Sequence, residues 1–178
     1  MIIAINPGHD KRLDPGACGQ FLHEADYVDD IARRVINSLR NAGHEVYYIQ
    51  SNELYEISAK ATTVNADIFV SIHCNAAENH AAEGTETWYY PDAASEKLAD
   101  CVQQNLVELL LTEDRGCKNG DWIAVLNSTE VAATILVELG FISNPEEEMK
   151  LEVCRDAAAE GIVAGIKQYL EMQESYDD

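Results

Sequence analysis

Basic residues are scarce in this chain: 12 Lys and Arg stand against 32 Asp and Glu, for a net charge of −20. Such a surface repels phosphate backbones and anionic lipid, which argues against nucleic acid as a partner. Toward an anionic polymer the charge is unfavourable but not prohibitive, because a cleft carries its own local field. Paired cysteines are also missing. Cys18, Cys74, Cys101, Cys117 and Cys154 occur singly, without a CxxC, and their number is odd. A cysteine-ligated zinc site and a dense disulfide framework are therefore not expected, and the thiols read as free, small hydrophobes. No apolar run is long enough to span a bilayer, so membrane insertion is not expected. The start, MIIAINPGHD, has no basic segment, no long apolar segment and no small-residue cleavage site, so it is not read as a signal peptide. This leaves two expectations: accumulation in the cytoplasm, or a domain cut from a longer secreted chain. Internal repeats and low-complexity linkers are absent too. The one disorder-like stretch is the acidic end, residues 171–178.

What remains is one ordinary domain. A length of 178 residues, 47% of them apolar, suffices for a single sizeable core. Residues 1–170 are expected to fold as that domain, and as a monomer. Strand-like and helix-like segments alternate, which predicts a three-layer α/β/α fold with a mostly parallel central sheet. Ile2 to Ile5 is a buried strand stopped by Asn6, Pro7 and Gly8. Glu24 to Ala42 is a helix, with Val28, Ile31, Ala32, Val35, Ile36 and Leu39 forming one stripe. Further strands are expected at Val46 to Ile49, Asp67 to His73, Ala124 to Leu126 and Thr134 to Leu139. Thr85 to Tyr90 alternates and reads as an edge strand. Helices are expected at Glu56 to Asn65, Ala94 to Leu111 and Ala157 to Leu170.

Ligands of open α/β sheets sit beyond the carboxyl ends of the strands. His9 follows the first strand, His73 ends the strand that begins at Asp67, and Glu138 lies near the end of the strand that begins at Thr134. If those strands are parallel, all three reach one edge of the sheet. Glu24 opens the first long helix, where the positive end of the dipole favours a carboxylate. Two histidines and a carboxylate are a common ligand set for one catalytic zinc ion, and a further carboxylate can carry the proton of the attacking water. The four residues fit that division: His9, Glu24 and His73 for the metal, Glu138 for the proton.

The segment NPGHDKRLDPGACG, then Glu24, then SIHCNA, then LVELGFISNP resembles the zinc-dependent N-acetylmuramoyl-L-alanine amidases of bacterial autolysins and phage endolysins. The resemblance runs from Ile2 to about Leu170 and takes in EGTETWYY at Glu83 to Tyr90 and the piece from Arg115 to Lys118. It implies a zinc hydrolase that cuts peptidoglycan between muramic acid and L-alanine. It also implies action at the bacterial cell wall, with zinc on His9, Glu24 and His73 and Glu138 catalytic. Release would then be of the holin type, or export would come from a longer chain. There are departures: Asp10 to Leu13 replaces a glycine-rich turn, and Asn127 to Ala133 lacks the arginine or proline often found there. Ala76 to Glu83 is too short for the plugging helix that division-associated members carry after the SIHxNA strand.

Several residues admit competing readings. His44 and His80 read as ordinary surface or satisfied histidines. His23 competes with Glu24, but neighbouring helical residues point about 100° apart, so only one faces the site, and Glu24 is favoured. Glu138 is costly in so apolar a run unless paired, and a buried salt bridge is the bland alternative. Cys74 should point away from His73. Asn75 lines the cleft or forms a turn. Trp88, Tyr89 and Trp122 either stack on sugar or fill core. At the level of function, a zinc peptidase or deacetylase acting elsewhere in the wall, and a non-catalytic wall-binding module, remain alternatives.

Overall fold

A computed structural model describes residues 1–127 and 130–175. Among the described residues, six strands and six helices run in the order β1 (Ile2–Pro7), α1 (Glu24–Asn41), β2 (Glu45–Tyr48), α2 (Leu54–Thr63), β3 (Ile68–Asn75), β4 (Thr85–Tyr89), α3 (Ala93–Leu110), β5 (Asp114–Asn119), α4 (Ala124–Asn127), β6 (Ala133–Phe141), α5 (Pro145–Val153) and α6 (Arg155–Glu174). The strands form one sheet in the order β2-β1-β3-β6-β4-β5. β2, β1, β3 and β6 pair in parallel, β4 runs antiparallel to β6, and β5 runs parallel to β4. The fold is therefore three-layer α/β/α with a mostly parallel sheet.

Side-chain alternation along each strand divides the core in two. Ile3, Ile5, Val70, Ile72, Ile135 and Val137 face α1, α3 and α6 in the larger cluster. Ala4, Phe69 and Leu136 face α2 and α4 in the smaller one, with Ile57, Val125 and Leu126. Burying each large aliphatic or aromatic side chain contributes about 1.5–3 kcal/mol, so most of the hydrophobic stabilisation lies on the first face. The second face is covered by a helix of 10 residues and one of 4. These pack over the amino-terminal half of the strands and leave the carboxyl ends of β3 and β6 open.

Three expectations need correction. Thr85 to Tyr90 is not an edge: β4 lies between β6 and β5. The true edge, β5, has the polar, half-exposed sequence DRGCKN, which carries no apolar alternation to announce a strand. Ala124 to Leu126 is one helical turn rather than a strand, a choice that a three-residue apolar run cannot make on its own. Helix α6 passes residue 170 and continues through Glu174, so part of the expected acidic tail is helical; residues 176–178 lie outside the described residues. Helix α5 is a further element, lying between β6 and the closing helix. Its start is set by Asn144, whose side chain accepts from the Glu146 N–H, with Pro145 in the first turn. Among the described residues, no helix is long and apolar enough to cross a membrane.

Two carboxylates of α5 fasten the loops around the open edge. Glu147 Oε2 accepts from the N–H groups of Gly84 and Phe141, at 2.9 and 3.0 Å. Glu148, fully buried, accepts from the N–H groups of Gln20, Phe21 and Leu22, at 2.9, 2.8 and 2.7 Å. Those three residues lead directly into α1 and so fix where Glu24 begins. Burial works to raise the Glu148 pKa, but the three backbone donors outweigh it and hold the carboxyl below its ordinary 4.5. With the folded-state pKa depressed, the stabilisation is complete above about pH 4.5 and is lost as pH falls through the lower folded value. Glu148→Gln is expected to lower stability at pH 7 by about 1–3 kcal/mol, since an amide cannot serve all three donors. Urea unfolding should find the gap between variant and wild type narrowing toward pH 3. A gap that is absent at pH 7, or that widens in acid, would contradict this role.

Candidate metal centre

The site forms where β1, β3 and β6 end and α1 begins. Gly8 N–H donates to Ile72 O, so the chain leaves β1 alongside β3 and turns at His9, which takes a left-handed backbone of φ +63°. A non-glycine residue in that region carries local strain, of the kind that collects at functional sites. His9 Nε2 lies 3.2 Å from Glu24 Oε2, and His73 Nδ1 lies 3.1 Å from Glu24 Oε1. Each carboxylate oxygen takes one backbone donor as well: Cys74 N–H to Oε1 at 3.0 Å and Ala17 N–H to Oε2 at 2.9 Å. The imidazoles meet edge to face with centroids 5.2 Å apart. One ligand atom from each of His9, Glu24 and His73 lies within 4.8 Å of the others.

Two glycines make room. A Cβ on Gly8 would stand 2.2 Å from the His73 ring, and one on Gly16, at φ +68°, would stand 2.7 Å from both Glu24 Oε2 and the His9 ring. Asp14 is a site residue that the sequence reading does not single out. Its Oδ2 lies 2.7 Å from His9 Nδ1 and so directs Nε2 toward the site, the usual arrangement behind a metal-binding histidine. An acid five residues after a candidate histidine, just before a Pro-Gly turn, is the signal that could have found it.

Electrostatics reflect the crowding. The hydrogen bond to Glu24 is the largest influence on His9; burial opposes it, the Asp14 bond adds to it, and the pKa is raised to about 9. Burial works to raise the Glu24 pKa, but the bonds to His73, His9 and Ala17 together carry it below the ordinary carboxylate range. The pocket thus holds an anionic carboxylate between two imidazoles, a donor set suited to a divalent ion of the zinc type.

Glu138 stands beside it. In the sheet register it pairs with His73 on one side and Glu86 on the other. Its Oε2 is buried and makes no hydrogen bond. Burial, then the charges of Glu24 and Glu86, push its pKa up to about 8, with His9 pulling the other way. An orphaned buried carboxylate oxygen is uncommon in folded proteins and marks a place where a partner belongs. The buried salt bridge that sequence allows for Glu138 belongs instead to Glu86, a residue that no sequence pattern marks. Glu86 Oε2 accepts from Arg115 and Lys118, and Oε1 from Asn75 at 3.0 Å and from the Trp88 indole at 3.2 Å.

The remaining candidates lie outside the centre. His23 is exposed, 3.8 Å from Asp26 Oδ2. His80 Nδ1 approaches Ser143 O at 2.6 Å, and His44 sits beyond the opposite end of the sheet, near Met1 and Lys167. Cys74 points into the larger core, and burial holds its thiol well above the ordinary range.

Known proteins share both the sequence pattern and the fold. A family model described as N-acetylmuramoyl-L-alanine amidase matches residues 3–168. The N-acetylmuramoyl-L-alanine amidase LytC of Bacillus subtilis (strain 168) is 37% identical over 176 residues, covering 94% of this chain and 35% of LytC. The probable cell wall amidase LytH of Staphylococcus aureus is 31% identical over 172 residues, covering 94% of this chain and 57% of LytH. The chain thus spans about a third of the length of LytC. Among solved structures, the catalytic domain of CwlV, an N-acetylmuramoyl-L-alanine amidase from Bacillus (Paenibacillus) polymyxa var. colistinus, superposes with a TM-score of 0.87 at 31% identity, covering 96% of this chain and 98% of that one.

Because Gly8 leaves no space for a methyl group against His73, Gly8→Ala is expected to turn the His73 ring away from Glu24. Calorimetric titration with a divalent ion is expected to give one-to-one binding in wild type and none in the variant, while far-ultraviolet circular dichroism stays as in wild type. An unaltered titration would contradict the cradle.

Proposed function

The chain belongs to the N-acetylmuramoyl-L-alanine amidase family, and from that premise we propose that it hydrolyses the amide between the lactyl group of N-acetylmuramic acid and L-alanine in peptidoglycan, with one zinc ion, at the bacterial cell wall. The observation that carries this reading is the placement of Glu138, with its unpaired oxygen, next to His73 in a triad whose ligand atoms lie within 4.8 Å of one another. His9, Glu24 and His73 would hold the zinc, which when bound supplies polarisation of a carbonyl and acidification of water.

The chain's own residues do the rest. Asp14 keeps His9 in the tautomer that presents Nε2. The backbone donors of Ala17 and Cys74 hold Glu24 in place without help from solvent. Glu138 takes the proton of the attacking water and delivers it to the alanine nitrogen as the carbon–nitrogen bond breaks, so one proton enters and leaves the carboxylate per turnover. Its free oxygen has no hydrogen bond to give up before doing so. The products are a lactyl carboxylate on the glycan and a free L-alanine amino group. Between β3 and β4, residues 76–84 form turns and no helix, so no plug of that origin covers the centre.

His73→Ala is expected to lose zinc, read by elemental analysis, while keeping the fold; full occupancy would remove His73 from the ligand set. Glu138→Gln is expected to retain zinc and lose turnover by about 10²-fold or more. The assay is the release of alanine amino groups from purified wall by the chain with zinc and no second protein. Near-normal activity in Glu138→Gln, or cleavage at a glycosidic bond or another peptide bond, would overturn the mechanism or the substrate respectively.

A further inference from the structure

Of the three aromatic residues that sequence left between sugar stacking and core, the structure separates all three. Tyr89 points to the α3 face, its hydroxyl donating to Glu96. Trp88 is half-buried against the smaller core. Trp122 is 70% exposed and is the one tryptophan on the surface. It is nonetheless held. Trp122 meets the Trp88 ring edge to face, with centroids 5.3 Å apart at 82°. Its backbone lies in a tight turn: Gly120 N–H donates to Tyr89 O at 2.8 Å, Asp121 N–H to Asn119 Oδ1 at 2.9 Å, and Ile123 N–H to Gly120 O at 2.9 Å. Ile123 anchors the far side of the turn in the smaller core. A tryptophan braced in this way presents a fixed, amphipathic ring face to a partner from solvent.

The contacts of Trp122 lead to the reaction centre. Trp88 donates its indole N–H to Glu86, and Glu86 pairs in register with Glu138. We propose that Trp122, braced by Trp88, is the platform on which the glycan strand of the wall stacks; this rests on the amidase reading above. The scissile amide joins a sugar to a peptide, so a chain that holds this bond at Glu138 must run the glycan off one side and the peptide off the other. The aromatic side chains assign the sides. Around His9, on the β1 and β2 side, a hollow of about 260 Å³ is lined by charged groups of both signs, Lys11, Arg12 and Arg33 with Asp10 and Asp29, and Asp29 pairs with Lys11 and Arg33. That polar hollow has no exposed indole and suits the peptide rather than the sugar. On the β4 and β5 side, Glu86 neutralises Arg115 and Lys118 in part, and Lys118 lies over the Trp88 ring. The uncharged pyranose rings of the substrate, whose lactyl carboxyl is tied up in the amide, suit the aromatic face.

Trp122 also reports on its own occupancy, since the chain has only two tryptophans. Peptide-free glycan strands added to the full chain at physiological salt are expected to shift or quench its emission. The free stem peptide at equal concentration is expected to leave emission unchanged. Trp122→Ala should abolish the response and raise KM on intact wall about three- to tenfold with kcat changed less than twofold, and Trp122→Tyr, which lacks the reporting indole, should restore most of the KM. Unchanged melting of both variants excludes misfolding as the cause. Absence of a glycan response in wild type, a response to the peptide alone, or a wild-type KM in Trp122→Ala would overturn the platform. If wild type frees alanine amino groups yet ignores glycan, only this inference fails. If it binds glycan and frees none, the platform stands and the proposed reaction fails.

Discussion

One buried carboxylate organises this molecule. Glu24 is 3% exposed, and both of its oxygens are engaged by an imidazole and a backbone N–H. An ionised carboxylate can stay in such a place only while those partners remain in position, and removing any one leaves an uncompensated charge. The partners come from three separate pieces of chain: His9 and Ala17 from the loop after β1, His73 and Cys74 from the end of β3, and Glu24 itself from α1. The carboxylate therefore ties the sheet edge, the long loop and the first helix to one geometry. The two α5 carboxylates extend this, since Glu148 fastens the loop just before α1 and Glu147 fastens the start of β4 to the end of β6.

The uneven cover of the sheet decides where that geometry lies. Even-numbered residues of β1, β4 and β6 and odd-numbered residues of β3 share the second face, where short helices cover only the lower half. Ala4, Phe69 and Leu136 fill the covered part. Further along β1, β3 and β6 the same face presents Asn6, Ser71, His73 and Glu138, with Ser71 donating to Asn6 at 2.7 Å, and antiparallel β4 brings Glu86 beside Glu138. The change from apolar to polar along a single face is the boundary between core and cleft. On the other face, β1, β3 and β6 stay apolar to the end under α1, α3 and α6, while β4 buries Thr85 and Thr87, the latter donating to Gln103 of α3.

The same division governs how much of the fold and the site is readable in sequence. Strands buried on both faces announce themselves as continuous apolar runs, so β1, β3 and β6 are placed closely, and with them the histidines and Glu138 at their ends. α1 is equally clear from its stripe. β5 is invisible because a half-exposed edge strand of polar residues has neither a run nor an alternation. The position of β4 inside the sheet is hidden for the same reason, since a strand without a known outer neighbour looks like an edge. Asp14 and Glu86 escape because each acts through another charged residue, and their partners are set by the loop path and the register, which local pattern does not encode.

The net charge of −20 poses a problem that the centre answers locally. A polyanion does not favour gathering three more carboxylates, Glu24, Glu86 and Glu138, at one edge. Each is compensated differently. Glu24 has two imidazoles, and Glu86 has Arg115 and Lys118, two of the chain's 12 basic residues. Glu138 has neither, and burial together with its two acidic neighbours shifts its balance toward the protonated form. Besides burial, the charges that act on Glu138 are those of Glu24, Glu86 and His9, and surface charges more than a Debye length of about 8 Å away are largely screened at physiological salt. Glu138 is thus the one member of the trio left without a cation at hydrogen-bond distance, and that difference is built by register rather than by overall composition.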